Sequence, residues 1–279
     1  MTLNLKNSAL LELSTFVVAT ESNRAAFDLN PFGLRIHSDH CIDPLKMASA
    51  TFLNLIRRVD QVAFGPEGMP MPRWIFFDGA ELPGGIAGFG IAANRLDEPS
   101  RQILAVPEGY DGIVPLSMFI AIPTFESGVW MAHNLCSSAR AFPQGIVGIG
   151  LQGLGGLSKA IGLRVFRASA QVGATQWNSF ALRVHARLGP LALLTAWTPA
   201  HSKPWTLTYR VKITEDGLRN LAEGHGGQAT HRPVDEWLDS EDHEAMKQLQ
   251  TRIETGESVW VAGSPQPLGP GRYRVPLSL

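Results

Sequence analysis

Charge of one sign, long apolar runs and cysteine are all scarce in this chain of 279 residues, and each scarcity excludes a class of protein. The 24 basic and 25 acidic residues give a formal net charge of −1 without any basic block, so no nucleic-acid partner is expected. No apolar stretch approaches the length of a membrane span, so no membrane partner is expected. Only Cys41 and Cys136 are present, which favours a reducing, cytoplasmic location and leaves their pairing open.

Lysine is scarce as well, since six of the 24 basic residues are Lys and the other 18 are Arg. Lys159 therefore stands out, because it ends the apolar stretch 145–159 (GIVGIGLQGLGGLSK) and carries the only charge in it. Six of these fifteen residues are glycine. Such a density of glycine marks a place where the bare main chain is closely approached.

Two segments have the pattern of amphipathic helices. Asp43-Pro44 supplies an N-cap and a first helical position, and apolar residues recur at helical spacing until Gly65, which predicts a helix over 44–63. An acidic start followed by apolar residues three and four positions apart predicts a second helix over 240–254.

Most of the remaining chain has the pattern of strands, because short apolar runs alternate with turns that contain glycine or proline. The predicted strands are 74–79, 86–92, 114–123, 129–135, 163–171, 180–188, 191–198, 206–213, 259–262 and 273–277. Short connections favour antiparallel pairing. We therefore expect a single α+β domain over 1–279, a β-rich antiparallel meander with a few flanking helices. Residues 44–223 would form the core of this domain, and residues 234–279 would form its closing helix and strands. Residues 1–42 are not assigned to any element.

The segment from Gly148 to Gly153 satisfies the dinucleotide-binding pattern GxGxxG. That motif requires a strand before it, a helix after it and an acidic residue at the end of the next strand. The preceding residues 141–144 (AFPQ) are not a buried strand, and 165–167 (VFR) ends without an acid. A dinucleotide cofactor is therefore not expected, and no other cofactor is predicted.

The tetrapeptide 156–159 (GLSK) resembles the end of the signature R-E-x-x-G-x-P-K of the acetoacetate decarboxylase-like superfamily. On that resemblance Gly156 corresponds to the glycine and Lys159 to the Schiff-base lysine of the signature. Gln152-Gly153 stand in place of the Arg-Glu pair, and Ser158 in place of the proline. The resemblance implies an antiparallel cone or barrel curled around an interior cavity, and a lyase that forms an iminium with a keto acid.

An amine attacks a ketone only when it is unprotonated, so the pKa of such a lysine must be lowered by desolvation or by a neighbouring cation. Lys159 is therefore the predicted catalytic residue. The predicted substrate-binding residues are polar or aromatic side chains in or beside apolar runs, namely Gln152, His133, Asn134, Gln176, Trp177, Arg183 and His185. Two functions follow, both with a small-molecule ligand: a divergent lyase acting on an apolar keto acid or carbonyl compound, or a non-catalytic binding protein on the same scaffold.

A second resemblance is to the GNAT superfamily of acyltransferases. Gln152 to Gly155 is similar to its Q/R-x-x-G-x-G/A loop, with one glycine off register, and 178–189 (NSFALRVHARLG) is similar to its Asn-x-x-Ala…Leu-Gly helix. The resemblance implies that main-chain N–H groups at a helix start bind the pyrophosphate of coenzyme A, beside two parallel strands that splay apart. The alternative function is therefore an acyl-CoA-dependent N-acyltransferase.

The segment 37–41 (HSDHC) collects four side chains that bind metals. Its spacing fits no closed zinc site, so a structural loop is expected there and no metal site is predicted. The sequence leaves open whether the protein forms a homo-oligomer.

Overall fold

The computed structural model describes residues 12–68, 70–81, 84–199, 203–224 and 232–279. The chain divides into two compact units, Met1–Ser127 with Ala132–Ala168, and Gly128–Met131 with Ser169–Leu279. Twelve strands and eight α-helices are present in the described residues, so the α+β class is confirmed. That a single domain spans residues 1–279 stays a prediction.

The first unit is a five-stranded sheet with helices packed against it. Its strands are β1 (Ser14–Val18), β2 (Cys41–Ile42), β3 (Gly85–Ala92), β4 (Ile113–Pro123) and the later part of β5 (Val129–Ser137), in the order β5-β4-β3-β1-β2. The first three residues of β5, 129–131, belong to the second unit. Its helices are α1 (Glu21–Arg24), α2 (Ala50–Phe64), α3 (Arg73–Ala80), α4 (Glu98–Ile103) and α5 (Leu154–Val165). Helices α2 and α3 share an apolar core with the sheet, and α5 packs against β3 and β4.

The second unit contains the remaining strands and helices. The strands are β6 (Ala170–Gln176), β7 (Leu191–Thr195), β8 (Thr206–Lys212), β9 (Glu236–Asp239), β10 (Trp260–Val261), β11 (Gln266–Gly269) and β12 (Arg272–Ser278). They lie in the order β11-β12-β10-β7-β8-β6, and β9 also pairs with β12. The helices are α6 (Phe180–His185), α7 (Glu215–Glu223) and α8 (His243–Glu254).

Pairing is mixed, which corrects the expectation of an antiparallel meander. Strands β1 and β2 are parallel, and so are β5 and β6, which pair over Val129↔Ala170, Trp130↔Gln171 and Met131↔Val172. Parallel pairing requires a long connection between the two strands, and residues 138–169, which include α5, supply it. Within each unit the described strands run in a linear order without closing on themselves, with β2 at an edge in the first unit and β11 at an edge in the second.

Several predicted elements are confirmed. Strands occur within or around 86–92, 114–123, 129–135, 191–198, 206–213, 259–262 and 273–277, and helices overlap 44–63 and 240–254. The first of these helices begins later than expected, at Ala50, because Asp43 caps a separate turn by accepting a hydrogen bond from Leu45 N–H (3.1 Å).

Three predicted strands are wrong. Residues 74–79 belong to α3, 163–171 are divided between the end of α5 and the start of β6, and 180–188 form α6 and a following 3₁₀ turn. In α3 the buried residues Ile75, Phe76, Gly79 and Ala80 recur at helical spacing. Aromatic residues favour strands only weakly, and burial of one helical face against the sheet outweighs that preference.

A substitution at Gly88 tests how closely strands β3 and β4 approach each other. A Cβ at position 88 would lie 2.0 Å from the carbonyl oxygen of Ser117 and 2.9 Å from Cα of Met118. Because main chain cannot move aside cheaply, we expect Gly88→Ala to destabilise the protein by about 2 kcal/mol. That corresponds to a fall in Tm of about 4–8 °C, measurable by circular dichroism.

The matched control is Gly150→Ala, since a Cβ there would meet nothing within 4 Å. We expect its Tm to stay within about 2 °C of the parent. Equal melting temperatures for the two variants would contradict the close approach at Gly88.

Candidate functional site

The glycine-rich stretch before α5 begins with a tight turn. Ile146 and Ile149 exchange main-chain hydrogen bonds of 2.9 and 2.8 Å. Gly145, with φ +86°, lies so close to this turn that a Cβ would be 2.3 Å from the carbonyl oxygen of Ile149. The later glycines differ, because a Cβ would meet nothing within 4 Å in the described part of the chain. They are Gly148, Gly150 and Gly153. These three glycines therefore border open space.

Helix α5 begins without a side-chain cap. Its N-cap is Gly153, in the left-handed region at φ +80°, which has no side chain to cap the helix, and the first N–H group, that of Leu154, donates to the carbonyl oxygen of Leu151 (3.2 Å). A Cβ added at Gly155, in the first turn, would have no neighbour closer than the side chain of Ser137, at 3.9 Å. The start of a helix carries partial positive charge on its free N–H groups. This end of α5 is therefore suited to an anionic group.

The rest of α5 is tightly packed against β4. A Cβ at Gly162 would lie 2.6 Å from the ring of Phe119 and 3.4 Å from that of Phe166. On the same helix Ser158 donates to Ser117 Oγ (2.9 Å), and Ser117 in turn donates to a main-chain carbonyl of β5 (2.9 Å). These contacts fix α5 on the sheet.

Lys159 lies within this packed region, with a relative exposure of 0%. Burial away from water lowers the pKa of its amine well below the usual 10.5, because the charged form is the more costly to desolvate. Gln152, by contrast, is exposed in the turn before the helix. The structure thus places these two predicted residues in one unit but in different surroundings.

His133 and Asn134 are neighbours on β5 with different partners. Asn134 is buried and donates to Asp60 Oδ1 (2.8 Å), while Met71 N–H donates to Asp60 Oδ2 (2.8 Å). Burial raises the pKa of the Asp60 carboxyl, and these two hydrogen bonds partly offset the rise. His133 instead meets the edge of Trp74, with ring centroids 6.1 Å apart and an interplanar angle of 87°. Asn134 therefore has a structural role, and His133 is the less buried residue of the two.

The other four predicted binding residues belong to the second unit, namely Gln176, Trp177, Arg183 and His185. Trp177 is fully buried and donates from Nε1 to the carbonyl oxygen of Ala196 (2.7 Å), which indicates a core role. The guanidinium of Arg183 lies over Phe180, 5.6 Å from its ring centroid. His185 packs at 5.3 Å from the ring of Tyr209.

Sequence analysis did not predict two features of the structure, the buried hydrogen bond between Gln171 and Tyr209 and the outer face of helix α3. Gln171 Nε2 donates to the hydroxyl of Tyr209 (2.8 Å), and burial raises the pKa of that phenol. Trp74 and Asp78 lie on α3, a segment that the sequence predicts as a strand. A helical periodicity at Ile75, Phe76, Gly79 and Ala80 was the available signal.

Among the described residues, no group of three or more His, Cys, Asp or Glu side chains is placed to hold a metal ion. The rings of His37 and His40 lie 6.2 Å apart, and Cys41 and Cys136 are both free thiols. No described helix combines the length and the apolar character needed to cross a membrane.

Comparison with known proteins gave no match to a protein-family model, to a curated protein or to a solved structure.

The burial of Lys159 makes a prediction about stability and pH. Its folded-state pKa is lowered, so between that value and 10.5 the unfolded chain binds more protons than the folded chain. Stability therefore rises as the pH rises through this window. We expect the Tm of the wild type to rise relative to that of Lys159→Met between pH 7 and pH 10.

The matched control is Lys212→Met, because Lys212 is exposed. Its Tm difference from the wild type should not vary with pH. A wild-type protein and Lys159→Met with parallel pH profiles would show that Lys159 stays protonated in the folded state.

Proposed function

We propose that the protein is an acyl-CoA-dependent N-acyltransferase of the GNAT type. The observation that carries the proposal is the succession of β5, the open glycine loop, α5 and β6, with β6 parallel to the first residues of β5. A strand, an anion-binding turn, a helix and a second parallel strand form a unit that can bind a phosphate group at the helix start.

The loop fits the pyrophosphate of coenzyme A on two grounds. Space is open where Gly148, Gly150 and Gly153 lack side chains, so an anion can approach the main chain. The uncapped first turn of α5 offers N–H donors and the positive end of a helix. Because the stretch 145–158 carries no charged side chain, the main chain would supply most of the binding.

The segment 178–189 gives further support. The GNAT resemblance implies a helix there, and the segment contains α6 and a following 3₁₀ turn. Ser179 starts the helix by accepting a hydrogen bond from Ala181 N–H (3.0 Å). Asn178 precedes it and donates to Glu241 (3.1 Å). These elements extend the chain order to strand, glycine loop, helix, parallel strand and helix, which supports the proposal.

In such a reaction, acyl-CoA supplies an activated thioester. The amine nitrogen forms a bond to the acyl carbon, the carbon–sulfur bond breaks, and the proton lost by the nitrogen is balanced by the one that the sulfur gains. The part assigned to this chain is to hold the pyrophosphate on the glycine loop, so that the reactants meet in a fixed geometry.

The variant Gly155→Asp tests the anion site. The position has room for a Cβ, and an acidic residue in the first turn of a helix is favourable, so the Tm should not fall. The carboxylate would repel a pyrophosphate, and we expect the affinity for coenzyme A to fall at least about tenfold. Isothermal titration calorimetry at constant salt measures this.

The control for added charge is Gly269→Asp, at a position where a Cβ also meets nothing within 4 Å. It should bind coenzyme A as the parent does. If the parent protein has no measurable affinity for coenzyme A, or if Gly155→Asp binds it equally well, the proposal is wrong.

A second candidate function is supported by one specific observation, the buried amine of Lys159 with its lowered pKa. Such an amine can attack a ketone, which is the chemistry of the acetoacetate decarboxylase-like interpretation with its interior cavity. A non-catalytic protein that binds a carbonyl compound would use the same surroundings.

Borohydride trapping distinguishes this candidate. With acetoacetate and longer β-keto acids, an iminium at Lys159 would be reduced to a stable adduct that peptide mass analysis locates. Lys159→Met should lose the adduct, whereas Lys212→Met should retain it. The absence of an adduct at Lys159 with every keto acid would eliminate the lyase.

A further inference from the structure

Helix α3 presents an unusual outer face. Trp74 and Phe77 have relative exposures of 56% and 47%, and Asp78 lies beside them on the same side of the helix, because positions i, i+3 and i+4 share a face. The opposite face of α3, which includes Ile75 and Phe76, is buried in the core. Two large aromatic side chains and a carboxylate are thus held on a rigid element at the surface of the first unit.

His133 of β5 adjoins this face and belongs to the same unit. Its ring meets Trp74 edge to face, and the carboxylate of Asp78 is close enough to act on it electrostatically. The Nε2 atom is shielded from solvent and has no hydrogen-bond partner among the described residues. A buried polar atom without a partner is costly, and native sites of this kind commonly satisfy it with a ligand or water.

The charge of this cluster selects among ligands. Burial lowers the pKa of His133, and Asp78 only partly offsets that effect, so the ring favours the neutral form. A neutral imidazole next to a carboxylate offers acceptors and a net negative charge, and the exposed face of an indole also attracts cations. The cluster therefore complements a group that is both cationic and a hydrogen-bond donor.

We propose that Trp74, Asp78 and His133 form the recognition site for the acceptor substrate, a primary amine carried on an aromatic or other flat apolar body. The ammonium group would pair with the carboxylate of Asp78 beside the His133 ring, while the apolar body would lie against Trp74 and Phe77. This inference rests on the proposed acyl transfer, for which it names the class of acceptor.

The test measures amine binding separately from acyl transfer. Isothermal titration calorimetry on the full chain, without any acyl-CoA, would use 2-phenylethylamine as the probe and 2-phenylethanol as its uncharged counterpart. We expect the amine to bind more tightly than the alcohol. Asp78→Asn and Trp74→Ala should each weaken amine binding about tenfold, through loss of a charge-assisted hydrogen bond and of the aromatic surface respectively.

The matched controls lie elsewhere in the first unit. Asp111→Asn removes an exposed carboxylate, and Phe125→Ala removes a fully exposed ring, so both should bind the amine as the parent does. The melting temperature of each variant shows that it is folded, and Trp74→Phe provides a milder change at the same position.

Each outcome bears on one proposal or the other. Selective weakening by Asp78→Asn and Trp74→Ala supports the recognition site. Failure to bind the amine, equal binding of amine and alcohol, or unchanged binding in both variants overturns it. Coenzyme A binding by the same preparation separates the two proposals, because a protein that binds coenzyme A but not the amine retains the proposed function and loses only this site.

Discussion

The close packing of α5 against β4 is the constraint on which the candidate site depends. The ring of Phe119 occupies the space that a side chain at position 162 would need, so only glycine lets the helix lie this close. The hydrogen bond from Ser158 to Ser117 fixes the helix on the same strand. One consequence is that Lys159 is carried out of water, and another is that the start of α5 is held firmly behind the glycine loop.

The glycines of the loop and of α5 serve two different purposes. Gly145 and Gly162 are needed because neighbouring atoms leave no room for a side chain, whereas Gly148, Gly150 and Gly153 border open space. Glycines of the first kind are explained by the fold alone. Two glycines of the second kind, Gly148 and Gly153, have positive φ (+82° and +80°), which by itself favours glycine. The open space beside all three is the reason for proposing that an anion approaches the main chain there.

Strand geometry accounts for the contrast between two adjacent polar residues. Successive side chains of a strand point to opposite faces, so His133 and Asn134 on β5 meet different surroundings. Asn134 shares a buried hydrogen bond with Asp60 and helps to hold β5 against α2. His133 faces Trp74 and keeps an acceptor-capable nitrogen without a partner among the described residues. A site that uses one of the two residues therefore need not disturb the other.

Long periodic segments were predictable from sequence, and short ones were not. Helices α2 and α8 have 15 and 12 residues, enough for an amphipathic pattern to be recognised. Helix α6 has only six residues, and its alternation of apolar and polar side chains over such a length suits a strand equally well. The same ambiguity concealed α3, and with it the neighbourhood of Trp74, Asp78 and His133.

Local sequence was sufficient for the α+β class, for most of the strands, for the place of the glycine-rich stretch and for the isolation of Lys159 among apolar neighbours in the chain. These features follow from composition and periodicity, which depend only on residues close together in the chain. Long-range packing was needed to establish that β5 and β6 are parallel, that α5 buries Lys159, and which glycines border open space. Those features depend on contacts between residues far apart in the chain, and local periodicity carries no information about such contacts.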